Sequence, residues 1–141
     1  MTAVAQTTLT AWVETVRSNL QTELRKVYGN SFDVVHAQFP GPSEDRDIAC
    51  IWIAKAEIEP ETAQQLIDVR IRVFRLWTPI EPHGKDPNEL EEIPDLVNNA
   101  LLAIQVSAGL WWFSIQGFEI DHESWGTEVA ILARRENPFL T

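Results

Sequence analysis

The chain has 141 residues, 45% of them hydrophobic and 23% charged, a size and balance that suit one globular domain with its own core and argue against a disordered, collagen-like or coiled-coil chain. Acidic side chains outnumber basic ones 21 to 11, for a formal net charge of -10, so the molecule as a whole repels polyanions and is poorly suited to gripping DNA from outside. The lone Cys50 has no partner for an internal disulfide, Met1–Gln6 lacks the basic start and apolar run of a secretory signal, and Gln105, Ser107, Gly109 and Ser114 interrupt the most apolar stretch well short of the roughly 20 residues of a membrane span. The expected address is therefore the cytoplasm, with no membrane.

From Leu9 onward, Leu9, Trp12, Val13, Val16, Leu20, Leu24 and Val27 recur at three- and four-residue spacing, with Glu14, Arg17, Gln21 and Arg25 between them; this predicts an amphipathic helix. Thr7 or Thr8 can cap its start, and Gly29-Asn30 can end it in a left-handed conformation. Phe32–Phe39 is rich in strand formers and stops at Pro40-Gly41-Pro42, giving a first strand followed by the polar loop Ser43–Asp47. Ile48–Ile58 reads as a second strand, Glu59–Thr62 as a turn, and Gln65–Trp77 as a third strand. In that third strand Ile67, Val69, Ile71 and Val73 alternate with Asp68, Arg70 and Arg72, the period of a sheet with one covered face.

Thr78–Pro87 holds three prolines and a glycine and must be a loop, after which Asp86-Pro87-Asn88-Glu89 has the composition of a helix start. Leu90, Ile93, Val97, Ala100, Leu101 and Ile104 lie along one face of that helix; Pro94 should kink or restart it, and Gly109 closes it. Leu110–Ile120 and Thr127–Arg135 complete the pattern as an antiparallel hairpin joined by Asp121–Gly126. The fold class expected is α+β in a single domain over 1–141. Its order is α-β-β-β-α-β-β, a four- to five-stranded, mainly antiparallel sheet with two helices packed on one face.

Two helices about 10 Å apart cover one face of such a sheet and leave the other open. With Ile67, Val69, Ile71, Val73, Trp111, Phe113, Ile115, Val129 and Ile131 turned toward the helices, alternation puts Phe74, Leu76, Trp112, Phe118 and Leu132 on the open face. Each large apolar side chain left in water forgoes roughly 1.5–3 kcal/mol, so this set predicts self-association, unless the long loops fold back over the face. Arg70, Arg72, Arg75, Arg134 and Arg135 can pair with carboxylates of a neighbouring copy or equally within the subunit.

No Gly-rich phosphate loop, nucleophile elbow, paired-cysteine zinc pattern or H-E-x-x-H occurs, so the expectation is no catalytic residue, no cofactor and no metal. Asp121-His122-Glu123, with His36 or His83, is the one constellation that can be drawn as a metal site, although polar residues are ordinary at a turn. Cys50, among apolar strand residues, reads as a buried structural thiol, and the six tryptophans occupy amphipathic positions that favour core or interface packing over stacking on sugars or bases.

The element order, the loop Thr78–Pro87 and the closing hairpin, with the stretches Ile67–Phe74, Leu96–Leu101, Trp111-Trp112-Phe113 and Thr127–Ala133, resemble the tail terminator proteins of long-tailed bacteriophages over almost the whole chain. The resemblance implies a small structural virion subunit that forms a ring, usually a hexamer, on the finished end of the tail tube. Such a ring stops elongation and offers a joint to the head connector. Its partners would be further copies of itself, the tail tube protein and a head completion protein, with DNA passing through the lumen unbound. It would reside in the host cytoplasm during assembly and then at the head-proximal end of the virion tail. Interface residues expected on this reading are Arg70, Arg72, Phe74, Leu76, Trp112, Phe118 and Leu132 from the open face, and Pro79, Glu81, His83 and Lys85 from the loop. Three other readings compete: a neighbouring head–tail connector, a small-ligand or adaptor binding module, and a metal-dependent or nucleotide-handling enzyme.

Overall fold

A computed structural model describes residues 8–38, 46–62, 64–76, 86–108 and 112–136. Helix α1 (Leu9–Tyr28) begins where the sequence puts a cap: the Thr8 hydroxyl accepts the Ala11 N–H at 3.1 Å. It ends at Gly29, whose φ of 100° is one that side chains rarely adopt and whose N–H reaches the Arg25 carbonyl at 2.9 Å. Trp12, Val13, Val16, Leu20 and Leu24 form the buried stripe; Val27, expected to extend it, is exposed.

The strands are β1 (Asp33–His36), β2 (Ile48–Glu59), β3 (Gln64–Phe74), β4 (Trp112–Asp121) and β5 (Gly126–Glu136), in one sheet of order β1-β2-β3-β5-β4. β1 runs parallel to β2 and every other pair is antiparallel, so the fold is the α+β arrangement with a mostly antiparallel, mixed sheet. The second helical region restarts as expected near Pro94. Helix α2 (Asn88–Glu91) is followed by α3 (Ile93–Ala108), with Pro94 in the first turn of α3, where its missing N–H is not required.

Both long helices lie on the same face of the sheet. α1 packs over β1 and β2 and against α3, which covers β5 and β4. Ile67, Val69, Ile71 and Val73 of β3, Ala49 and Ile51 of β2, Val129, Ile131 and Ala133 of β5 and Phe113 of β4 meet the apolar stripes of the helices in one core. Of the inward set read from alternation, Ile115 packs against that core while half-buried, and Trp111 lies outside the described residues.

One end of the sheet is tied by polar contacts rather than by packing alone. Arg75 donates to Asp47 and to Glu92, both at 3.0 Å, and its guanidinium stands 4.9 Å from the Tyr28 ring centroid. The Thr127 hydroxyl donates to the Leu90 carbonyl at 2.8 Å, and the Trp125 indole to Glu89 at 2.9 Å. The end of α1, the start of β2, α2 and the β4–β5 turn therefore share one junction.

Candidate functional site

The face of the sheet away from the helices is where the sequence places an interface. Its centre is polar. In-register residues of neighbouring strands share a face, and Arg72 opposes Glu128 across β3 and β5. Glu128 accepts from Arg72 at 2.8 Å and lies 3.6 Å from Arg70, which is also held bidentate by Asp68 at 2.9 and 3.1 Å. Arg134 reaches Glu59 at 3.4 Å and stands 5.3 Å over the Trp112 ring. Arg70 and Arg72 thus have their carboxylate partners inside the subunit. Glu128 is mostly shielded, so Glu128→Ala should lower unfolding free energy by about 1.5–3 kcal/mol, read from urea titration, because charge-assisted bonds to Arg72 and Arg70 go with it.

Phe74 differs from the expectation of an exposed interface residue. It is fully buried, in a second cluster with Ile48 and Cys50, against which Val35 and Trp52 pack. The chain leaving β1 closes part of this cluster, since the Cys50 thiol donates to the Gln38 carbonyl at 3.8 Å. Burial pushes the Cys50 thiol up to about 11, so at neutral pH it stays protonated and poorly nucleophilic.

Phe118 differs in a second way, for it stands on the helix side of the sheet. A bulge at Gln116 shifts the β4–β5 register, so Ile115 opposes Ile131 while Phe118 opposes Val129, and both partners belong to the helix-side core. Strict alternation assigns Phe118 to the open face; one extra residue reverses it. Trp112 precedes the bulge and does share the open face with Arg134 and half-buried Leu132. Leu76, beyond the end of β3, is exposed and held through its N–H by Asp47 at 2.6 Å. Pro79, Glu81, His83 and Lys85 lie outside the described residues. The signal that sequence reading passed over is Gln116-Gly117, since a glycine inside a strand often marks a bulge.

The metal-like cluster has a plain structural role in the hairpin. Asp121 accepts the Glu123 N–H at 2.9 Å and the Ser124 hydroxyl at 2.7 Å, which closes the turn and, led by the Ser124 bond, holds its carboxyl below the usual range. Among the described residues no group of three metal-binding side chains gathers, and no helix is long and apolar enough to cross a membrane.

Two edges of the sheet remain. β4 is the last strand on one side, with Trp112 43% and Phe118 53% exposed. On the other side β1 pairs with β2 only as far as His36 opposite Ile51, so the outer edge of β2 from Trp52 onward pairs with no described strand. A groove of about 490 Å³ opens beside that edge, lined by Leu9, Val13, His36, Gln38, Trp52 and Ile53 among others. No protein-family model and no curated protein matches this chain.

Proposed function

We propose that this chain is a ring-forming structural subunit, a tail terminator or close head–tail joining protein of a long-tailed bacteriophage, acting by shape and without catalysis. The observation that carries the reading is the pair of unlike edges at opposite ends of one sheet, neither paired with a further strand among the described residues: a strand with two exposed aromatic side chains, and a strand edge beside a groove of mixed polar and apolar lining. Closed rings need such heterologous patches, because each boundary joins two different surfaces of the same subunit. The α+β order supports the resemblance to tail terminators, and the net charge of -10 suits a lumen that lets DNA slide past.

On this reading, a ring seated on the last layer of the tail tube covers the surface that would bind the next layer and presents a different surface toward the head. Elongation then stops for geometric reasons. The test is solution mass by light scattering over a wide concentration range, followed by electron microscopy with purified tail tubes. The expected result is a closed multimer that decorates one tube end. A chain that stays monomeric at high concentration, with and without tubes, overturns the proposal.

A further inference from the structure

We infer that copies of this chain join edge to edge, β4 of one subunit running antiparallel along the outer edge of β2 of the next, with Phe118 seated in the groove between α1 and β2. This contact rests on the assembly reading and specifies it. The first support is direction. β2 is antiparallel to β3, β3 to β5 and β5 to β4, so β4 runs opposite to β2, and a copy rotated about an axis along the strands keeps that sense. A neighbour's β4 therefore meets β2 as an antiparallel partner, in the row beyond His36 where β2 pairs with no described strand.

The second support is the face. In a continuous sheet a side chain stays on its own side, and the bulge at Gln116 has put Phe118 on the helix side. The groove opens to the helix side through Leu9 and Val13 of α1 and Ile53, which opposes core residue Val69, and reaches round the sheet edge to Trp52. Without the bulge, Phe118 would face away from any such groove. A volume of about 490 Å³ gives a phenyl ring room, and the described lining sets Leu9, Val13 and Ile53 beside Thr10, His36 and Gln38, with no Asp, Glu, Lys or Arg among them.

The third support is charge. On the open face Glu119 of β4 opposes Glu128 of β5, whose carboxylate is engaged by Arg72 and Arg70. Lys55, well exposed on β2, is on the same face, opposite Asp68 and 3.2 Å from Glu57 of its own strand. Edge pairing brings this cation to the side of the sheet where Glu119 stands.

The test has two arms. Phe118→Lys should raise the concentration for half-assembly by at least about tenfold, the effect of losing a central aromatic anchor. It should leave the circular dichroism and melting of the subunit unchanged, because the ring is already half in water. Separately, Phe118→Cys and Ala54→Cys proteins, Ala54 lining the groove beside Ile53, are mixed under mild oxidation, with the unsubstituted chain as control for Cys50. A disulfide-linked dimer should form in the mixture in excess of either protein alone. Wild-type oligomers that give no such mixed cross-link, or that assemble normally as Phe118→Lys, overturn this contact while leaving the assembly reading intact. A wild-type chain that never assembles overturns both.

Discussion

Phe74→Ala should lower the unfolding free energy by about 3–5 kcal/mol, the range for removing a fully buried aromatic ring. The ring lies on the side of the sheet without helices, yet it is enclosed by Ile48, Cys50, Val35 and Trp52. Gly126 stands opposite it in β5, and an added Cβ there would come within 2.9 Å of the Val73 carbonyl oxygen and 3.0 Å of the Phe74 ring. The ring's seat thus depends on a residue without a side chain, and truncating Phe74 leaves a cavity beside it. Equilibrium urea unfolding of dilute protein is the measurement. A subunit contact would behave oppositely: stability of the dilute chain would hold, and only assembly would weaken. An unchanged urea midpoint for Phe74→Ala would therefore return Phe74 to the surface.

That contrast shows where sequence reading succeeds and where it stops. Ile67, Val69, Ile71 and Val73 were assignable to the core because β3 keeps an unbroken period of two beside helices with matching stripes. The open face was harder to read, for three local reasons. The bulge at Gln116 reverses the parity of β4, so Trp112 and Phe118 stand on opposite faces although alternation groups them. A similar shift between Ile53 and Lys55 changes the parity of β2. Arg72 and Glu128 are partners 56 residues apart in sequence, and only the strand order β3-β5 makes them neighbours, so their mutual neutralisation had no local signal. The parallel pairing of β1 with β2 was hidden in the same way, because no helical pattern in the sequence between them announces a crossover. The groove follows from that pairing: it opens where β1 ends and β2 continues.

Trp125→Ala should cost a similar about 3–5 kcal/mol, but through a different mechanism. Trp125 has a φ of 53°, an uncommon conformation for a bulky residue, and its indole is only 6% exposed. The conformation persists because the surroundings hold both ends of the residue. Its carbonyl accepts the Arg75 N–H at 2.9 Å, and its indole donates to Glu89 at 2.9 Å. Alanine keeps the unfavourable φ and loses the packing and the indole bond, whereas glycine loses the same contacts but adopts that φ freely. Trp125→Gly should therefore be less damaging than Trp125→Ala by roughly 1 kcal/mol, a difference that packing alone would not produce. Chemical denaturation of the two variants side by side measures it. Hydrogen exchange should then show faster opening at the Gly126 end of the β4–β5 hairpin, since that turn is anchored to α2 through Glu89 and to the end of β3 through Arg75. If Trp125→Ala and Trp125→Gly prove equally stable, backbone strain plays no part in positioning this turn, and the indole–Glu89 contact with its packing accounts for the whole effect.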